Sequence, residues 1–526
     1  MPSQRLGRGE PHKWGVPLFT QAISKRFPAF FFETKGAKKK AWQKRTRRKK
    51  GFRLCGGDQR SARWIGGRFW ESDAKPFTAK TVRPSPINCN LFNFKDTKMS
   101  ILFKNVNLPE SCGYLGTVNV LVKDKKIAYI GKELPTDAAD NIIEGNGNLL
   151  LPAFYNTHCH SAMTLFRGFG DDLPLKRWLN ERILPAEDRL TPESVYYGSM
   201  VSIAEMIRGG TVSFSDMYFF IDDTARAVEE TGVKANLSRA IVSFDPEIDC
   251  DNDTRIKEAI EVFDRWHGKA DGRIKIETSL HAEYTNVEKC CRYMGELTKK
   301  LGVGMHVHIS ETASEHEACI ERHGVSPTKF FLETGVLDSP VTAAHAVWVD
   351  DEDIAIMAEK GVSVAHNPVS NLKLGSGIMP YRKMKEAGIN ITLGTDGAAS
   401  NNRLSILREM QFAALIHKGN DLDPSVTLAS DMIRIATKNG AVAQGRENAG
   451  EIKVGNAADL ILVDLSGFNN IPYYSLESTV CYSMTEENIL MTLSDGNILY
   501  NRGAYTTIDE ERLKSEARRV IAHYFD

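Results

Sequence analysis

Leu149-Leu150-Leu151-Pro152-Ala153-Phe154-Tyr155-Asn156-Thr157-His158-Cys159-His160 is the stretch whose reading decides the fold. A largely apolar run of this length, with Gly147 before it and a polar end, reads as a buried strand. Side chains alternate along a strand, so His158 and His160 project from the same face. Two imidazoles at the C-terminal end of a buried strand supply half the coordination sphere of a borderline-soft cation. Cys159 points the other way and reads as a small packed residue.

Moving outward, strand-like segments recur at 149–157, 211–215, 234–242, 274–281, 303–309, 341–348, 362–366 and 389–395. Helical stretches separate them, such as 192–208, with Thr191 as its N-cap and Gly209-Gly210 as its stop. Eight strands alternating with helices predict an α/β fold built as a parallel (β/α)8 barrel, in which chemistry collects at the strand C-termini. His158, His160, His281, His308, Glu311, His345, His366 and Asp396 all fall at such ends. The segment from Met99 to Gly147 is a small set of strands and turns, too short to be stable alone. Strand-like pieces at 458–465, 478–481, 489–493 and 497–500 answer it at the far end. The expected organisation is therefore a composite β-sandwich from 99–150 plus 450–526, and a barrel from 151–449.

The formal charge of zero conceals a split: residues 1–98 carry 24 Lys and Arg against 6 Asp and Glu, the rest 43 against 61. The basic segment, with runs at 38–40 and 47–50, reads as an upstream extension of the reading frame; a disordered tail or a nucleic-acid-binding arm are the other readings. No nucleic-acid partner is expected for 99–526. No secretory signal and no apolar run of about 18 residues appears, which argues against export and a membrane span. Nine cysteines without a Cys-x-x-Cys pair fit reduced thiols in the cytoplasm.

Three imidazoles and a carboxylate hold Zn²⁺ and leave a position for water, and His158, His160, His308 and Asp396 are the expected ligands of one divalent ion. His306 competes with His308, since period-2 alternation puts both on one face. The same donors accept Fe²⁺. Glu311 is the expected general acid and base, His345 the group that orients the attacking water, and Asp396 a further proton acceptor.

Pro152-x-x-x-Asn156-Thr157-His158-x-His160, His308-x-x-Glu311, Ala344-His345 and the run from Leu393 to Asn402 resemble the amidohydrolase superfamily. With Thr164–Gly168 and Asp171–Leu175, the chain is most similar to the 5-methylthioadenosine/S-adenosylhomocysteine deaminase family, from about Ile101 onward. The resemblance implies a sandwich beside a distorted barrel, one catalytic metal, and hydrolytic loss of ammonia from adenine C6 of a small-molecule nucleoside. It carries over His158, His160, His308 and Asp396 as ligands, Glu311 as the acid/base and His345 as the catalytic histidine. It implies Glu187 as the contact to the ribose hydroxyls, with Arg239 and His281; Arg255 is the nearest second arginine, across an apparent insertion. Glu311 and Asp396 complete the substrate-binding set. His281 stands where a bridging carbamylated lysine would be needed, which disfavours dihydroorotase-type chemistry. Deamination of guanine and hydrolysis of a chlorotriazine are the alternative activities. Trp178 reads as the packed face of a helix, and monomer and homo-oligomer both stay open.

Overall fold

The apolar run at 149–160 folds as two strands rather than one, because the chain changes sheets at Ala153. The computed structural model describes residues 100–525. The expectations for residues 1–98 lie outside the described residues. The strands, in chain order, are β1 (Ile101–Val106), β2 (Val118–Lys123), β3 (Lys126–Gly131), β4 (Asn141–Glu144), β5 (Leu149–Pro152), β6 (Phe154–Cys159), β7 (Thr211–Tyr218), β8 (Lys234–Arg239) and β9 (Ile274–Ile276). They continue with β10 (Thr278–Leu280), β11 (Met305–Ile309), β12 (Val341–His345), β13 (Ser363–His366), β14 (Asn390–Leu393), β15 (Leu460–Val463), β16 (Ile489–Ser494), β17 (Asn497–Asn501) and β18 (Ala504–Tyr505).

The first four strands form one sheet, ordered β3-β2-β1-β4. Asp124 and Lys125, at φ 50° and 68°, make the two-residue hairpin loop between β2 and β3, a twist that suits two right-handed strands. β5 joins the C-terminal strands in an antiparallel sheet ordered β18-β17-β16-β15-β5. The pleat of β5 divides its side chains. Leu150 packs with Phe103, Val120, Leu460, Leu462 and Leu493, whereas Leu149 and Leu151 enter the main core. Both ends of the described residues thus contribute to one apolar cluster, which hides surface that neither sheet could bury alone.

The remaining strands form two wholly parallel sheets, β6-β7-β8-β9 and β10-β11-β12-β13-β14, interleaved with helices. The expected single closed ladder of eight strands is interrupted. The predicted strand at 274–281 is split: the Glu277 amide bonds Leu237 O at 3.0 Å, and the next amide, Thr278, bonds Gly304 O at 3.0 Å. At the other junction, Thr157 Oγ1 donates to Leu393 O (2.9 Å) and the Asp396 amide to His158 O (3.0 Å). The sheets therefore abut at both edges through scattered hydrogen bonds rather than a continuous strand ladder, and the strand ends that carry the polar residues lie together.

A second expectation fails at 478–481. That stretch lies in helix Leu476–Tyr482, where the Ser475 hydroxyl accepts the Ser478 amide and buries Val480 and Cys481 on one face. A short run containing β-branched residues fits either period, and here the cap decides. The Thr191 cap is found as expected, with helix Pro192–Arg208 following it.

Beneath the parallel sheets, Lys234 of β8 donates to both oxygens of Asp459 (2.7 and 2.6 Å) and to Asp495 (2.7 Å). All three are shielded, and Tyr155 also bonds Asp459. Lys234→Met leaves two carboxylates close together without their cation, so it should cost about 3–5 kcal/mol, read as a lowered urea midpoint. A midpoint equal to the parent's would show that the pair contributes nothing to stability. No helix among the described residues is long and apolar enough to cross a membrane.

Candidate metal centre and active site

β6 ends in His158 and Cys159, with His160 directly after, β11 carries His308, β12 ends in His345, and Asp396 follows β14. Parallel pairing sets Ile309 beside His345 and His308 beside Ala344, which brings these ends level. Each imidazole is oriented through Nδ1. His160 Nδ1 meets Met217 O at 2.7 Å, His308 Nδ1 meets His281 O at 2.6 Å, and His345 Nδ1 meets Asn371 Oδ1 at 2.8 Å. A carbonyl partner requires a proton on Nδ1, so in the neutral ring each Nε2 presents a lone pair to the interior. His158 Nδ1 lies 2.9 Å from His306 Nε2. When Nδ1–H of His158 donates, its Nε2 is left as a buried lone pair with no hydrogen-bond partner among the described residues. His306, the competing candidate, thus stands behind His158.

The converging atoms have the spacing of a coordination shell. Asp396 Oδ1 is 3.5 Å from His158 Nε2 and 3.3 Å from His160 Nε2. Tetrahedral ligands about 2.1 Å from an ion sit about 3.4 Å from one another. Donor atoms of His158, His160 and His308 lie within 4.8 Å of one another, as do those of His158, His345 and Asp396, and all five residues are buried. The orphaned Nε2 and these separations fit a divalent cation, which His158, His160, His308 and Asp396 could hold.

The local electrostatics favour positive charge at that point. Burial lowers His158 to about 3, His281 to about 4, and His308 well below its usual value, so these rings stay neutral. Burial also disfavours charge on His160, but Asp396 and the Met217 carbonyl outweigh it and lift the ring to about 9. Burial alone would raise Asp396, yet the His158 and His160 contacts hold it well below the carboxylate range. Asp396 Oδ1 accepts the Gly397 amide (2.8 Å), and Oδ2 accepts Ser370 (2.6 Å) and Ser400 (2.7 Å).

Glu311 follows Ser310, a left-handed residue at φ 48° that turns the chain out of β11. Its Oε1 accepts the Ser376 hydroxyl at 3.0 Å, and Oε2 lies 3.9 Å from His345 Nε2. Burial raises its pKa, which favours a carboxyl able to carry a proton. Glu315 accepts the Ser310 and Glu311 amides (3.1 and 2.8 Å) and forms a capping box with Thr312, fixing the turn beneath Glu311.

The expected substrate contacts divide. Glu187 is half-buried at the end of helix Leu184–Glu187; burial raises it to about 7, opposed by a bond to Tyr218 and by His160 nearby. The His281 ring is 4.8 Å from that of His308, with Nδ1 3.2 Å from Thr285 Oγ1. Arg239 ends β8, stacked on Phe219 at 4.9 Å and bonded to Glu258 at 2.7 Å. Arg255 lies in the first turn of helix Thr254–Trp266, where it bonds Asp253 (3.0 and 2.5 Å) and the Val242 carbonyl. The structure thus gathers Glu187 and His281 around the histidines and engages both arginines with acids of the loop and helix at 253–258. Trp178 is buried in the core, as a packed helix face requires. His366 is paired with His417 (Nε2 to Nε2, 3.0 Å) rather than with the cluster.

The chain belongs to the amidohydrolase family, whose model matches residues 149–499. Within it, the similarity narrows to enzymes of adenine nucleosides. The 5-methylthioadenosine/S-adenosylhomocysteine deaminase of Dictyoglomus turgidum is 41% identical over 421 residues, covering 80% of this chain and 98% of that protein. The 5′-deoxyadenosine deaminase of Methanosarcina mazei is 40% identical over 423 residues, 80% of this chain and 97% of that one. Among solved structures, an adenosine deaminase from Xanthomonas campestris with bound zinc superposes with a TM-score of 0.75 at 31% identity, covering 81% and 98% of the two chains. An atrazine chlorohydrolase from Arthrobacter aurescens shares the fold at 22% identity, with a TM-score of 0.74 over 80% and 100%.

Proposed function

We propose that this chain is a metal-dependent aminohydrolase that replaces the 6-amino group of 5′-substituted adenosines by oxygen, releasing ammonia and the inosine counterpart. The observation that carries the reading is 41% identity across 98% of a relative named for that reaction, over a site whose groups suit it. His158, His160, His308 and Asp396 would hold the ion, and zinc is the metal we propose from the histidine-rich donor set. When bound, a divalent cation there lowers the pKa of water and so supplies a nucleophile near neutral pH.

The side chains account for the proton transfers. Addition of water to C6 breaks the ring C=N bond, so N1 must gain a proton; the Glu311 carboxyl, its proton favoured by burial, donates it. Asp396 accepts the proton that water loses, and His345, fixed by Asn371, orients the attacking oxygen. Asp396 then passes that proton to the amino group while Glu311 takes the proton of the C6 hydroxyl, so that the C6–N bond breaks, C6=O forms, ammonia leaves and both carboxyl groups return to their starting states. We read the two abutting parallel sheets as halves of one distorted barrel, 151–449, with 99–150 plus 450–526 as the composite sandwich. The seven cysteines of the described residues are free thiols, which suits the reducing cytoplasm.

Glu187 is assigned to the ribose diol, with Arg239, Arg255 and His281 around the rest of the nucleoside. Glu187→Gln should raise KM for nucleosides by about tenfold, the worth of one charge-assisted hydrogen bond, and leave turnover of a bare base unchanged. Equal KM values in variant and parent would remove Glu187 from the ribose site. The function itself is tested by ammonia release from a panel of 5′-methylthioadenosine, S-adenosylhomocysteine, 5′-deoxyadenosine, adenosine and guanine, and by chloride release from a chlorotriazine. Release from the adenosines supports the reading; reaction of guanine or the triazine alone contradicts it.

A further inference from the structure

Glu409 is wholly buried in the first turn of helix Ile406–Asp421, away from the histidines. A buried carboxylate needs its acceptor sites filled, and both oxygens of this one face donors. Oε2 accepts the Val369 amide at 3.0 Å, and Oε1 accepts Asn401 Nδ2 at 2.7 Å. Both donors belong to segments that grip the site. Val369 precedes Ser370 and Asn371 in helix Pro368–Lys373; Ser370 bonds Asp396 (2.6 Å) and Asn371 bonds His345 (2.8 Å). Asn401 closes helix Ala398–Asn401, whose Ser400 also bonds Asp396 (2.7 Å), and its Nδ2 donates as well to Thr395 O (2.7 Å), one residue before Asp396.

Asp396 and His345 have φ of 59° and 72°. Left-handed backbone in non-glycine residues is strained and persists only where the surroundings enforce it. The segments on either side of Glu409 provide that enforcement. We propose that Glu409 is a positioning residue, the tie between the Asp396 turn and the helix that carries Ser370 and Asn371, and that it thereby fixes Asp396 and His345 for metal holding and turnover. This rests on the function proposed above. Burial pushes the Glu409 carboxyl up to about 8, opposed by Val369, Asn401 and Arg408. The carboxyl has acceptor sites for both donors in either protonation state, so the tie does not depend on its charge.

Glu409→Gln keeps the shape and turns one oxygen into an amide nitrogen facing a donor, which opens one arm. In chelator competition the variant should hold zinc about 10–100-fold more weakly, and kcat should fall by a similar factor with KM within about twofold. Asn401→Ala breaks the same tie from its other end and should show the same split. A variant that melts earlier yet binds zinc and turns over like the parent would overturn the proposal. Loss of the fold in both variants would assign the carboxylate to global stability and overturn it too. If the parent releases no ammonia from any adenosine, the functional reading fails, while the zinc competition still judges Glu409.

Discussion

Glu311→Gln should hold one equivalent of metal and lose nearly all turnover. The glutamine amide oxygen can still accept the Ser376 hydroxyl that now meets Oε1 at 3.0 Å, so the side chain keeps its place. What it loses is the capacity to carry a proton. Positioned acid–base groups contribute about 10²–10⁴-fold, and removal of this one should lower kcat by that order. Metal content should be unchanged, because Glu311 lies outside both groups of converging donors. Ammonia release and metal analysis on the same preparation check both halves. Substantial turnover in the variant would remove Glu311 from the mechanism, whereas loss of metal would move it into the coordination shell.

Asp396→Asn should be as damaging for a different reason. Asparagine tolerates left-handed backbone, so φ near 59° need not change. The substitution instead removes the charge that lifts His160 and that Ser370, Ser400 and Gly397 all address as donors. An amide group there must turn its NH2 either toward those hydroxyls or toward the two imidazole Nε2 atoms, which lie 3.3 and 3.5 Å away. Zinc affinity and kcat should both fall, kcat by about 10²–10⁴-fold since a proton acceptor is lost along with a ligand. Parent-like zinc binding with parent-like kcat would contradict the assignment of both roles.

The residues that converge are largely those that stand out along the chain, and the reason is geometric. Parallel strands bring their C-terminal ends level, so a polar residue ending an apolar run is already placed in space by the pattern. His158, His160, His308, His345 and Asp396 could be read in that way. Their supports could not. Ser370, Asn371, Ser376 and Ser400 lie on short helices and loops with no period, and Glu409 sits on a helix face like any other glutamate. Only the Thr312-x-x-Glu315 capping box beneath Glu311 carried a local signature. The split of 149–160 between two sheets was equally hidden, because β5 and β6 are both apolar, and it is long-range pairing with β15 that separates them. Helix Leu476–Tyr482 shows the opposite case, where a serine cap outweighs a run that also fits a strand.

The most direct test of the account is a titration of metal-stripped protein with zinc, following ammonia released from 5′-methylthioadenosine. A single catalytic metal per chain predicts no release without metal, and a linear rise that breaks at one equivalent per chain. Full activity in the stripped protein, or a break at two equivalents, would contradict it.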